Sequence, residues 1–195
     1  MSGKNKGALK GIIIGALMVL LILGYFFYLS NKKTDAGSED IEVKVSPVQG
    51  ALLRNLDTDY PPTPKEVLKL YCDYTVLFYS TDYSEAEFEA LALQIRKLYD
   101  EELQNNMTLD QYLENFRYDV DNMKAQGLSV TSYSTSSAVD VEEFTKDGRD
   151  CARLYATFTL KNGKDVGLTK EVFILRRDEN KHWKIMGWKV VELNE

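Results

Sequence analysis

Twenty consecutive uncharged residues, Gly11 to Ser30 (GIIIGALMVLLILGYFFYLS), constrain this chain more than any other feature. Coiled into a helix at roughly 1.5 Å per residue, they match the apolar thickness of a bilayer, about 30 Å. Twelve of the twenty are Ile, Leu, Val or Phe, each favouring insertion by about 0.3 to 0.6 kcal/mol near the bilayer centre. A cleaved signal peptide would have a shorter apolar core and a small-residue cleavage site. Here Asn31, Lys32 and Lys33 follow directly, and the run reads as an uncleaved anchor. Lys4, Lys6, Lys10 and the terminal amine before the span slightly outweigh Lys32 and Lys33 after it, which places the N-terminus in the cytoplasm. The layout expected is a cytoplasmic tail at 1–10, a transmembrane helix at 11–30 in the cell membrane, and a domain outside the cytoplasm. Gly7, Gly11 and Gly15 recur every fourth residue, a spacing that allows close helix pairing. Glycine is common in membrane helices in any case.

Past the anchor, residues 34–195 hold 19 Lys and Arg against 30 Asp and Glu, a net charge of −11. Such a surface repels phosphate backbones, which excludes nucleic acid as a partner, and it disfavours lying flat on anionic lipid. The N-terminal helix is therefore the main contact with the bilayer. Cys72 and Cys151 fit no zinc or C-x-x-C spacing and are either one disulfide or two buried thiols; Cys151 falls on the less apolar face of its strand, which favours unpaired thiols.

Residues 31–61 read as a linker with a docked strand. Ile41, Val43 and Val45 alternate with charges, and Ala51, Leu52, Leu53 and Leu56 form an apolar knot. An α+β domain follows over 62–195. Three helix starts carry Thr or Ser followed three residues later by Glu or Gln: Thr63 to Glu66, Ser84 to Glu87, and Thr108 to Gln111. The stripes behind them are Val67, Leu68, Tyr71, Thr75 and Phe78; Phe88, Leu91, Ile95 and Leu98; and Leu113, Phe116, Val120 and Met123. From Leu128 the apolar period becomes two, with turns at Asp147-Gly148, Asn162-Gly163 and Asp178 to Lys181. Four antiparallel strands are predicted, near 128–145, 150–161, 165–177 and 182–192, with the three helices packed on one face of a curved meander.

The helix hairpin, the meander and the closing strand HWKIMGWKVVE resemble the cone-shaped fold of the nuclear transport factor 2-like and cystatin-like superfamily. The segment RNLDTDYPPTPKEVLKLY, Arg54 to Tyr71, resembles a family of uncharacterised single-pass membrane proteins of Gram-positive anaerobic bacteria. The superfamily includes ketosteroid isomerase-like and polyketide cyclase-like enzymes, so the resemblance implies that an enzyme here would need an Asp or His base inside the cone. His182, the single histidine, sits at a turn as a solvated residue. Asp119, Asp121, Asp140, Glu142 and Glu143 lie in polar stretches and read as solvated faces or strand edges. Tyr71, Tyr74 and Tyr79 read as core packing in preference to a cavity lining. No catalytic, cofactor-binding or metal-binding residue is assigned, and no cofactor is expected.

The leading functional expectation is a non-catalytic extracytoplasmic interaction or scaffold domain that meets a protein partner or forms a homo-oligomer. The layout resembles structural subunits of conjugation and secretion machines. The alternatives are a small-molecule binding or sensing domain that uses the mouth of the cone, and an isomerase- or cyclase-like enzyme. A filled cone favours the first, an apolar pocket the second, and a pocketed carboxylate with a raised pKa the third.

Overall fold

The computed structural model describes residues 45–192. No helix among them is long and apolar enough to cross a membrane, and the run 11–30 lies outside them. From Val45 the chain packs as one compact unit.

Five α-helices come first: α1 (Pro47–Leu52), α2 (Pro64–Ser80), α3 (Glu85–Lys97), α4 (Glu101–Asn105) and α5 (Leu109–Ala125). Each starts where a side chain takes up a first-turn N–H that has no partner within the helix. Ser84 and Thr108 form full capping boxes with Glu87 and Gln111. Thr63 accepts from the N–H of Glu66, while its own hydroxyl donates to the Glu66 carboxylate at 2.9 Å. A further box, Ser46 with Gln49, opens α1 inside the stretch expected to be linker. There Val48 and Leu56 are buried, Ala51 and Leu52 pack against the core, and Leu53 points outward at 77% exposure. Of the docked strand expected across Ile41–Val45, only Val45 is described, and it is exposed. Asp100 caps α4 by accepting from the N–H of Glu102 at 3.0 Å.

The sheet has five strands where four were predicted: β1 (Leu128–Thr135), β2 (Glu142–Lys146), β3 (Arg149–Asn162), β4 (Asp165–Arg177) and β5 (Trp183–Val191). The order is β1-β3-β4-β5, and β2 also pairs with β3. The predicted strand 128–145 is thus two strands, broken by a 3-10 turn at Ala138–Asp140. Both lie along one edge of β3, β1 against Ala156–Asn162 and β2 against Arg149–Arg153. Ser136 fixes the break: its N–H donates to the Tyr155 carbonyl, and its hydroxyl accepts from the Tyr155 N–H, both at 2.9 Å. At the β2–β3 turn Asp147 and Gly148 both have positive φ, 52° and 73°, as a type I′ hairpin requires. Asn162 pairs with Asp165, so the central residues of the next turn are Gly163 and Lys164, one position later than predicted.

Ala152, Leu154, Ala156 and Phe158 of β3 and Phe173 and Leu175 of β4 alternate onto the face that meets the helices. All four stripe residues predicted for α3, Phe88, Leu91, Ile95 and Leu98, are buried at 1% exposure or less. Burying each is worth about 2 kcal/mol. Cys72 and Cys151 are both free and buried. Cys151 alternates away from Ala152 and Leu154 yet is covered, although its face was read as the less apolar one.

The end of α3 is stitched to β5 by two main-chain hydrogen bonds of 2.8 Å, Asp100 N–H to the Ile185 carbonyl and Ile185 N–H to the Leu98 carbonyl. Beside them the Asp100 carboxylate holds the Arg176 guanidinium in a two-point pair, at 2.5 and 3.1 Å. Both side chains are more than nine-tenths buried.

Candidate functional site

The helices do not fill the sheet's hollow. An open cavity of about 440 Å³ remains between α2, α5, the α3–α4 junction and the inner face of β1, β3, β4 and β5. Its volume falls in the range of small-molecule sites, about 300 to 1,000 Å³.

One wall is a run of aromatic rings. Trp188 of β5 stacks on buried Phe173 of β4 at 5.9 Å between centroids. Tyr71 of α2, Tyr99 after α3 and Trp188 form a triangle with centroid separations of 6.4, 5.5 and 5.6 Å. Tyr112 of α5 meets Tyr99 edge-on at 6.1 Å, and Phe116 continues the run 5.8 Å from Tyr112. The hydroxyl of Tyr112 donates to the Ala92 carbonyl at 3.0 Å, which fixes that ring against α3. Burial, more than any neighbouring charge, raises the pKa values of Tyr71, Tyr99 and Tyr112, and that of Tyr79 is pushed up to about 12 by burial and then by Asp119. The cavity is lined by neutral phenols at physiological pH.

Three charged side chains face this space: Glu171, Asp119 and Arg96. Glu171 is on β4, two residues before Phe173 and four before Leu175, and so shares their inward face. Among the described residues nothing hydrogen-bonds or ion-pairs with its carboxylate, and burial raises its pKa above the ordinary value. Asp119 sits at the exposed rim on α5. Arg96 is already engaged, donating to the Gln104 carbonyl at 3.0 Å and lying 5.8 Å from the Tyr112 ring centre. Among the described residues no three His, Cys, Asp or Glu side chains converge as a metal site would require.

The tyrosines of α2 divide. Tyr71 and Tyr79 pack and also line the cavity, the alternative placed second to core packing, whereas Tyr74 packs at 1% exposure and its hydroxyl has no partner among the described residues. Asp119 is exposed, as expected of a solvated face, and it also borders the cavity at its rim. Glu142 is exposed and pairs with Arg153, and Asp121, Asp140 and Glu143 are exposed. His182 is outside the cavity, stacked on Tyr60 at 4.4 Å and 3.8 Å from the Asp178 carboxylate. Trp183 is core and Trp188 is rim. Glu171 was missed at the sequence level, although the signal was present: it is the acid in the inward alternation Thr169, Glu171, Phe173, Leu175.

The fold and cavity define an α+β domain whose helices cover a curved antiparallel sheet and leave a tyrosine-lined pocket faced by two carboxylates, Glu171 and Asp119, that have no partner among the described residues. The chain belongs to the family described as Domain of unknown function (DUF6715), whose model matches residues 1–188 and so takes in the apolar run and the folded unit together. That agrees with the expectation of an uncharacterised family. No curated protein matches the chain. Among solved structures it is similar to CagV, a VirB8 homolog of T4SS from Helicobacter pylori strain 26695, at 10% identity and a TM-score of 0.38, over 66% of this chain and 98% of that one. This likeness is too distant to carry a function across.

Proposed function

We propose that this chain is a non-catalytic interaction domain, held at the cell membrane by residues 11–30 and displayed outside the cytoplasm, that receives a small ligand or a projecting partner side chain in its pocket. The observation that carries the reading is the cavity itself. Packed domains bury their aromatic rings against one another and leave few voids larger than water, whereas here a continuous aromatic wall borders about 440 Å³ of open space. The open cavity moves the reading away from the scaffold that a filled cone would have favoured and toward the binding alternative, since an interaction domain can take its partner through a pocket.

A second reading has an observation of its own. Glu171 is a partly buried carboxylate with a raised pKa, the property a general base needs, and the Tyr71 hydroxyl makes no hydrogen bond among the described residues. An isomerase-like proton transfer would use these two groups.

The test is native mass spectrometry and thermal shift of the full chain against a library of metabolites and cell-wall fragments, beside Thr169→Trp. Thr169 lies on the inward face at the pocket, and an indole there narrows the space. A ligand that shifts the wild type and not the variant supports the reading. No shift in either, together with a defined oligomer, would move recognition to the outer surface. Turnover of a bound compound, lost in Glu171→Gln, would establish the enzymatic reading.

A further inference from the structure

We infer that the pocket's ligand is an organic cation, an alkylammonium or quaternary ammonium group carried on an apolar body. This inference rests on the pocket-binding reading above and names the chemistry of the ligand.

Two features support it independently. The first is the aromatic triangle. Tyr71, Tyr99 and Trp188 are close enough together, and inclined to one another by 36° to 51°, that a single cation resting against them lies within about 6 Å of all three centroids. Phe173 backs the triangle from the core side, stacked with Trp188 and edge-on to Tyr71 at 5.3 Å. The second is the balance of unsatisfied charge. Glu171 and Asp119 both face the cavity with no partner among the described residues, while Arg96 is committed to the Gln104 carbonyl and the face of Tyr112. The free charge on the wall is therefore negative. An anionic ligand would meet two carboxylates and the negative faces of the rings, and a neutral apolar ligand would leave Glu171 desolvated and uncompensated. A cation with alkyl substituents satisfies both features, because its charge is spread over methyl or methylene groups that shed water at little cost.

The same chemistry is present in a soluble ammonium compound and in a choline lipid headgroup, and the experiment separates the sources. The full chain is placed in phosphatidylglycerol nanodiscs and titrated calorimetrically with choline and with 3,3-dimethylbutan-1-ol, its uncharged isostere, with empty discs as reference. Choline should bind about tenfold more tightly than the alcohol. In Glu171→Gln that preference should fall severalfold, the rings retaining the remainder, while the alcohol binds as before, which also reports an intact pocket. Equal affinity for the two probes in the wild type overturns the cation assignment and leaves the pocket reading standing, and a preference undiminished in Glu171→Gln overturns the part given to Glu171. Binding of neither probe overturns the assignment, and the library screen with Thr169→Trp then decides the pocket reading separately. Where choline does bind, its affinity falls in discs that also contain phosphatidylcholine if the source is a lipid headgroup, and is unchanged if it is a soluble compound.

Discussion

A buried ion pair and a partly buried lone carboxylate make opposite contributions to this domain. Asp100 and Arg176 satisfy each other in a two-point pair at the helix–sheet seam, and Asp100 also caps α4. Asp100→Ala should lower the unfolding free energy by about 3 to 5 kcal/mol, read from urea denaturation, because it leaves a buried guanidinium with only the exposed Glu102 carboxylate at 2.9 Å. Glu171 has no such partner. Its pKa is raised in the folded state, so folding favours the protonated acid, and the fold loses stability as pH climbs from the unfolded carboxylate value through the folded one. Glu171→Gln should therefore match the wild type near pH 4, where both side chains are neutral, and exceed it at pH 7. A wild type equally stable at both pH values, relative to the variant, would show that Glu171 is well solvated.

Elements announced themselves wherever the deciding contacts were local. Ser84, Thr63 and Thr108 mark helix starts because a cap needs only residues three apart, and Ser84→Ala should cost about 1 kcal/mol, read as a shift in denaturation midpoint. Gly148 sits at φ +73° with nothing within 4 Å of an added Cβ, so Gly148→Val acts through backbone strain alone, about 2 kcal/mol or somewhat more for a β-branched residue. The break between β1 and β2 was hidden. Ser136, Ser137 and Ala138 carry no glycine or proline, and the kink is held by Tyr155, nineteen positions from Ser136 in sequence. The Ser46 box was hidden for another reason: it follows a charged alternating stretch that reads as spacer, and α1 has only six residues in which to show a helical period.

For the whole molecule, the proposed topology joins an acidic domain to a membrane by a short segment. A cysteine introduced at Ser38, with Cys72 and Cys151 replaced by Ala, should react with a membrane-impermeant maleimide on intact cells. Reaction only after lysis would put the domain in the cytoplasm. The replaced thiols are buried in the folded unit and are not expected to be needed outside it.

The α+β class, the order of helices before strands, three of the five described helix starts, the type I′ turn at Asp147-Gly148 and the inward face of β3 were legible in the residue order. These follow from periodicity and from contacts a few residues apart, which any chain displays in its order. Only the tertiary structure decided that β3 serves two partner strands along one edge, that Asp100 and Arg176 meet across 76 positions, and that the inward face stays open around Glu171. Alternation assigns a side chain to a face. Whether that face is packed or hollow at a given point depends on where Tyr99, Tyr112 and Trp188 come to rest, and those rings are brought together by chain segments up to 89 residues apart.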